Sequence, residues 1–238
     1  MRPAWYALAS GGWRDYVTLL HPPYTAWHLS YVVVGGCLAP AVAWGRLGLA
    51  VLAFALALGV GAHALDELNG RPLGTRIPEQ MLVALAVASV VAACAIGVAV
   101  ALTFDPLLLV FVALGAFLVP AYNLELLGGR FHSDLWFGLA WGAFPLLTGY
   151  AACAGSVSAG AVLAAAWATL LSLAQRQLST PVRRLRRQVT SVTGRLELAD
   201  GSSEALDAAA LTAAPEAALR LLTAATVALA AALVAVRL

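Results

Sequence analysis

The chain has 238 residues, of which 62% are hydrophobic and 11% charged, with a formal net charge of +2. An ordinary soluble domain carries about 25% charged residues, so this shortfall excludes one and places the chain with membrane proteins. Every basic residue is Arg, and nothing in the charge calls for a nucleic-acid partner.

In chain order, residues 1–23 carry Trp5, Tyr6, Trp13 and Tyr16 beside Arg2, Arg14 and Asp15. Amphipathic rings favour the headgroup level, so this segment reads as an interfacial helix, with no apolar region suited to a cleavable signal peptide. A membrane helix needs about 20 apolar residues. Seven stretches are read as spans: Tyr24–Trp44, Leu47–Leu65, Met81–Leu102, Pro106–Tyr122, Leu135–Ala154, Ala159–Leu178 and Pro215–Val236. The first six form the membrane core, residues 24–178. Between the sixth and seventh lie residues 179–214, and residues 215–238 hold the last span. Ser179-Thr180-Pro181 reads as a new helix start, with a hydroxyl cap and Pro in the first turn. Val182, Leu185 and Val189 then recur at helical spacing among arginines, a basic amphipathic helix suited to anionic lipid. Residues 199–214 read as a polar connector. The expected fold class is all-α: a polytopic membrane bundle of about seven helices.

Arginines alternate between the links. Arg2 and Arg14 precede the first span, Arg71 and Arg76 follow the second, Arg130 follows the fourth, and Arg176, Arg183, Arg184, Arg186, Arg187 and Arg195 follow the sixth. The positive-inside rule places these links and the N-terminus in the cytoplasm, with the chain in the cell membrane. Arg46 and Arg237 run against this trend. Cys37, Cys94 and Cys153 each sit in an apolar run, where a lone thiol acts as a small packing residue.

Polar residues gather at the cytoplasmic ends of the spans. His28 lies about one turn into the first. His63, Asp66 and Glu67 close the second, Asn123 and Glu125 the fourth, and Gln175, Arg176 and Gln177 the sixth; His132 and Asp134 open the fifth. Ionisable groups at membrane depth face a bundle interior or a wet cavity, so a cytoplasm-facing polar cavity is expected. His63, Asp66 and Glu67 fall at i, i+3 and i+4, on one face of a helix. Asp66, Glu67 and Asn123 are the candidate catalytic residues. His63, Asn69, Arg71, Arg76, Arg130, Gln175 and Arg176 are candidates for binding substrate. His63, Asp66, Glu67 and His132 form a candidate metal set, with His and carboxylate donors suited to Zn, Fe or Mn. His132 and Asp134 also read as caps of the fifth span. The arginines at 183, 184, 186 and 187 read as a lipid-headgroup face.

Several segments resemble the UbiA superfamily of intramembrane prenyltransferases. His21-Pro22-Pro23-Tyr24-Thr25 is similar to that family's Arg-Pro-x-Thr opening. Ala62 to Gly70 (AHALDELNG), followed by the loop Arg71 to Pro78, resembles its first acidic motif, N-D-x-x-D-x-x-x-D. Tyr122-Asn123 and the run Asp134–Tyr150 also resemble the family, and the likeness extends over roughly residues 20–190. Only Asp66 keeps an acidic position of the motif: His63 and Gly70 replace the other acids and Ala62 the Asn. Gln175–Arg187, where the second acidic motif belongs, contains no carboxylate, and seven spans stand against the family's usual nine.

The resemblance implies a helical bundle in which Mg²⁺, held by acids, binds a prenyl diphosphate whose allylic carbon passes to an acceptor. The expected function is therefore a divergent membrane enzyme working on an isoprenoid or other lipid. Two alternatives stand beside it: a transition-metal enzyme modifying a lipid, and a non-catalytic lipid-binding subunit of a larger protein assembly.

Overall fold

The computed structural model describes residues 2–238, and these are mostly helical. Helix α1 spans Trp13–Leu19, α2 Pro22–Leu38, α3 Trp44–Leu68, α4 Glu79–Thr103, α5 Leu107–Asn123, α6 Asp134–Ala154 and α7 Ala159–Arg187. A small antiparallel hairpin follows, β1 Arg195–Glu197 with β2 Ser203–Ala205, paired Arg195 to Ala205 and Glu197 to Ser203. Helix α8, Ala208–Arg237, ends the chain.

Among the described residues, four helices are long and apolar enough to cross a membrane: α3, α4, α6 and α8. The other apolar runs are cut short or diluted. Helix α2 stops at Leu38 because Ala39 precedes Pro40 and is extended, at φ −63° and ψ 153°. Pro106 fixes the start of α5, which is an apolar helix of 17 residues. Helix α7 runs unbroken for 29 residues, apolar at first and basic in its last turn.

Several local expectations change. Ser179-Thr180-Pro181 is not a helix start, because α7 passes straight through Pro181. The hydroxyls of Ser179 and Thr180 turn back onto the carbonyl of Arg176, at 3.3 and 2.8 Å, rather than capping a new helix. Among the described residues before α2, only Trp13–Leu19 is α-helical. The connector contains the hairpin, and α8 begins at Ala208, where Asp207 accepts a hydrogen bond from the Ala210 amide. Ser133, rather than His132 or Asp134, caps α6, its hydroxyl accepting from the Trp136 amide.

The core sits where α2 crosses α6. Trp27, Tyr31 and Leu146 are fully buried there, with Ala165 and Ala168 of α7 against them. Gly35 and Gly149 let the two backbones touch: a Cβ on Gly35 would run into the Leu146 carbonyl, and one on Gly149 into that of Val32. The two arginines that defy the charge trend have local work. Arg46 donates to the carbonyls of Ala152 and Cys153, at 2.7 and 3.1 Å, closing the C-terminal end of α6. Arg237 donates to Cys37 and Ala39 and closes α2 likewise. Cations suit helix C-termini.

Two wide turns complete the frame. Residues Ala55–Ala62 of α3 and Leu139–Ala143 of α6 are π-helical. Such turns are rare and often adjoin functional sites.

Candidate functional site

A polar cavity of about 570 Å³ opens among α2, α3, α6, α7 and the N-terminal segment. Its walls carry all four histidines, His21, His28, His63 and His132, and three tyrosines, Tyr6, Tyr24 and Tyr122. Arg176, Arg183, Arg184 and Arg187 face it against two acids, Asp66 and Glu125, so its charge is positive. Asp134 lies outside the wall and ion-pairs with Arg176. Arg176 also donates to the Tyr122 hydroxyl at 2.7 Å.

The histidines are held with defined tautomers. His28 Nδ1 lies 2.7 Å from the Trp141 carbonyl, His63 Nδ1 3.1 Å from that of Gly59, and His132 Nδ1 3.1 Å from that of Tyr122. A carbonyl only accepts, so each of these Nδ1 atoms carries a proton, and in the neutral rings of His28 and His63 Nε2 keeps its lone pair. Trp141 and Gly59 belong to the two π-helical turns, so the wide turns supply the anchoring carbonyls.

His21 differs. It is buried, sits before Pro22 in the left-handed region at φ 45°, and its Nδ1 lies 2.6 Å from the Tyr6 hydroxyl. Its ring stacks on His63, with centroids 4.1 Å apart and planes 16° apart. Burial pushes the His21 pKa well below the ordinary imidazole value, and His63, Arg187 and Arg183 push it the same way. Burial raises the Tyr6 phenol, so both groups are neutral at physiological pH. His21 Nε2 and Gln175 Oε1 are buried in the cavity wall without a hydrogen-bond partner.

Asp66 and Glu67 are neighbours with opposite fates. Asp66 lines the cavity. Glu67 is fully buried and turned to the loop beyond α3, where it accepts from the amides of Leu73 and Thr75 at 2.9 and 2.8 Å and from the Thr75 hydroxyl at 2.8 Å. Both its oxygens are engaged, so the expected catalytic and metal-binding roles for Glu67 are corrected: its carboxylate folds the loop.

Of the residues expected from sequence, the cavity gathers Asp66, Asn123, His63, Asn69, Gln175, Arg176 and His132. Arg71, Arg76 and Arg130 are not in its wall. Arg71 instead donates to the Ile77 carbonyl at 2.7 Å, and the Arg76 amide donates to Asp15 at 2.9 Å, so both belong to the loop scaffold. Among the described residues no three of His, Cys, Asp and Glu converge as a metal site, so the expected set of His63, Asp66, Glu67 and His132 is not assembled. Mg²⁺ wants an oxygen shell with carboxylates. With Glu67 engaged and Arg183, Arg184 and Arg187 in the wall, the donor set does not fit an acid-held Mg²⁺ cluster either.

The sequence reading missed Tyr6, His21 and Tyr24, and assigned Arg183, Arg184 and Arg187 to lipid. Because α7 is unbroken, Arg176, Arg183 and Arg187 fall seven and four residues apart on one face. A helix start at Pro181 would break that spacing.

An apolar groove of about 110 Å³ adjoins the polar cavity, lined by α3, α4, α5 and α6 from Arg46 and Ala152 up to Leu58 and Trp141. Leu58 and Trp141 line both spaces, as their shared wall. The fold and site define a helical protein with membrane-length helices, a cationic polar cavity and an apolar groove beside it. No protein-family model, curated protein or solved structure matches the chain.

Proposed function

We propose that this chain is a divergent UbiA-like integral membrane enzyme that transfers the prenyl group of a prenyl diphosphate to an acceptor. The observation that carries this reading is that a cationic cavity and an apolar groove lie side by side, sharing Leu58 and Trp141 as wall. A ligand filling both has an anionic head and a hydrocarbon tail. Arginine suits the head because its guanidinium binds phosphate oxygens bidentately. Here four arginines supply the charge that acid-held cations would otherwise supply. The groove follows α3 from Arg46 to Leu58, roughly 18 Å at 1.5 Å per residue, which sets the direction a hydrocarbon tail would take.

In this reading the chain crosses the cell membrane seven times, with α2, α5 and α7 completing the spans of α3, α4, α6 and α8. The cavity and the N-terminus face the cytoplasm, where soluble diphosphates are found. Asp66 and Asn123 face the acceptor, and Arg176, Arg183 and Arg187 hold the leaving group.

The test is binding in nanodiscs by tryptophan fluorescence, because Trp5 and Trp141 line the cavity. Farnesyl diphosphate should bind at least about tenfold more tightly than inorganic diphosphate, since tail burial adds roughly 0.8 kcal/mol per methylene. Leu58→Trp should remove that advantage, and Arg183→Ala with Arg187→Ala should weaken both ligands. Equal affinity for the two ligands in the wild type would sink the reading.

A further inference from the structure

The two stacked histidines carry opposite tautomers. Among the described residues the Tyr6 hydroxyl has no other acceptor than His21 Nδ1, at 2.6 Å. The phenol proton therefore points at Nδ1, and the His21 proton sits on Nε2. That Nε2–H is buried in the cavity wall with no protein partner. On His63 the Gly59 carbonyl holds the proton on Nδ1 and leaves Nε2 as a lone pair. The stack thus sets a neutral hydrogen-bond donor against a neutral base, with ring centroids 4.1 Å apart.

The conformation of His21 is costly. A left-handed backbone at a non-glycine residue is strained and survives only where surrounding structure enforces it. Here Pro22 follows, and the amides of Tyr24 and Thr25 bond the His21 carbonyl at 2.9 and 3.0 Å. The strain places an imidazole on the cavity wall.

We propose that His21 and His63 are a donor–base pair: His21 Nε2–H binds an oxygen of the ligand's anionic head group, and His63 Nε2 takes the proton that the acceptor loses. This rests on the prenyl-transfer reading. The allylic C–O bond breaks and its electron pair leaves with the diphosphate, whose oxygens keep the His21 N–H and the arginines as donors. An acceptor bearing a hydrogen, a phenol or an electron-rich ring carbon, forms the new bond to the allylic carbon. Its proton passes to His63 Nε2, and from that imidazolium to Asp66, three residues on along the same helix, or to water. His21 stays protonated throughout, as a neutral imidazole donor can. Tyr6 touches no reacting atom: it is a positioning residue that fixes the His21 tautomer.

The first test needs no substrate. In the full chain labelled with ¹⁵N-histidine and held in detergent, imidazole ¹⁵N shifts should show His21 protonated at Nε2 and His63 at Nδ1 at neutral pH. Tyr6→Phe should erase the His21 preference and leave His63 unchanged. The same tautomer on both rings, or a charged ring, overturns the pair whatever the substrate. The second test uses farnesyl diphosphate. His21→Gln should weaken its binding about tenfold, the loss expected for one hydrogen bond to a charged group. His63→Gln should leave binding within about twofold but slow diphosphate release about 100-fold in the presence of a phenolic acceptor, the scale of general-base catalysis. Wild-type rates in His63→Gln overturn the base. Opposite tautomers in a protein that binds no prenyl diphosphate overturn the prenyl reading and leave the donor–base pair standing.

Discussion

At the scale of single residues, Asp66 and Glu67 show how adjacent acids divide labour. Glu67 satisfies two buried amides and a hydroxyl with one carboxylate. Glu67→Ala leaves those donors buried and unpaired, and the loss should be roughly 2–4 kcal/mol, since hydrogen bonds to charged groups contribute about 1.5–3 kcal/mol each and do not add fully. Asp66 makes no such bonds and faces the cavity. Asp66→Asn is nearly isosteric and breaks none of these bonds, so it should leave thermal unfolding in detergent within about 2 °C of wild type, a change of about 0.5 kcal/mol, while abolishing turnover. A large stability loss in Asp66→Asn, or none in Glu67→Ala, would reverse these assignments. The spacing of the sequence placed both acids at the mouth of the second apolar run. It could not tell them apart, because the difference lies in where residues 73 and 75 return, six and eight positions later. Tyr6 and His21 were illegible for the same reason: their contact joins an irregular segment to a helix cap.

At the scale of elements, the sequence spoke most clearly where chemistry is local. Apolar runs gave the helices, and Pro40 and Pro106 mark two of the ends. It misled at Pro181, because proline breaks helices in general and the neighbouring hydroxyls resemble a cap. The packing of α2 on α6 shows another limit. Glycine lowers helix propensity by about 1 kcal/mol, and only the crossing explains why Gly35 and Gly149 stand in helix interiors. Each lies where a methyl group would strike backbone rather than a movable side chain. Gly149→Ala should therefore destabilise the bundle, by about 1–3 kcal/mol as for overpacking of a core. Gly48→Ala, where nothing lies within 4 Å, should be neutral or slightly stabilising. The comparison is a thermal melt of the two variants in one detergent. Equal melts would mean that α2 and α6 pack more loosely than their backbones indicate.

At the scale of the whole molecule, one question joins sequence to function: which face of the membrane the cavity meets. The arginines of the cavity, the loop after α3 and the last turn of α7 all lie toward one end of the bundle, the end that the proposed topology puts in the cytoplasm. Arg46 and Arg237 do not weaken the assignment. They bond the carbonyl ends of α6 and α2 at the other end of the bundle, so their positions follow from helix capping rather than from insertion. Topology is then testable by chemistry at two serines. Cys37, Cys94 and Cys153 would first be changed to Ser or Ala. A single cysteine at Ser202, in the turn of the hairpin that follows α7, should react with a membrane-impermeant maleimide only in inverted vesicles. One at Ser156, in the short link between α6 and α7, should react in intact cells. The opposite pattern would place the arginine-rich cavity outside, where cytoplasmic prenyl diphosphates cannot reach it, and would remove the proposed substrate while leaving the fold untouched. Labelling of both from the same side would show that α7 does not cross, and that the basic half of that helix lies along the surface as its amphipathic arginine pattern first read.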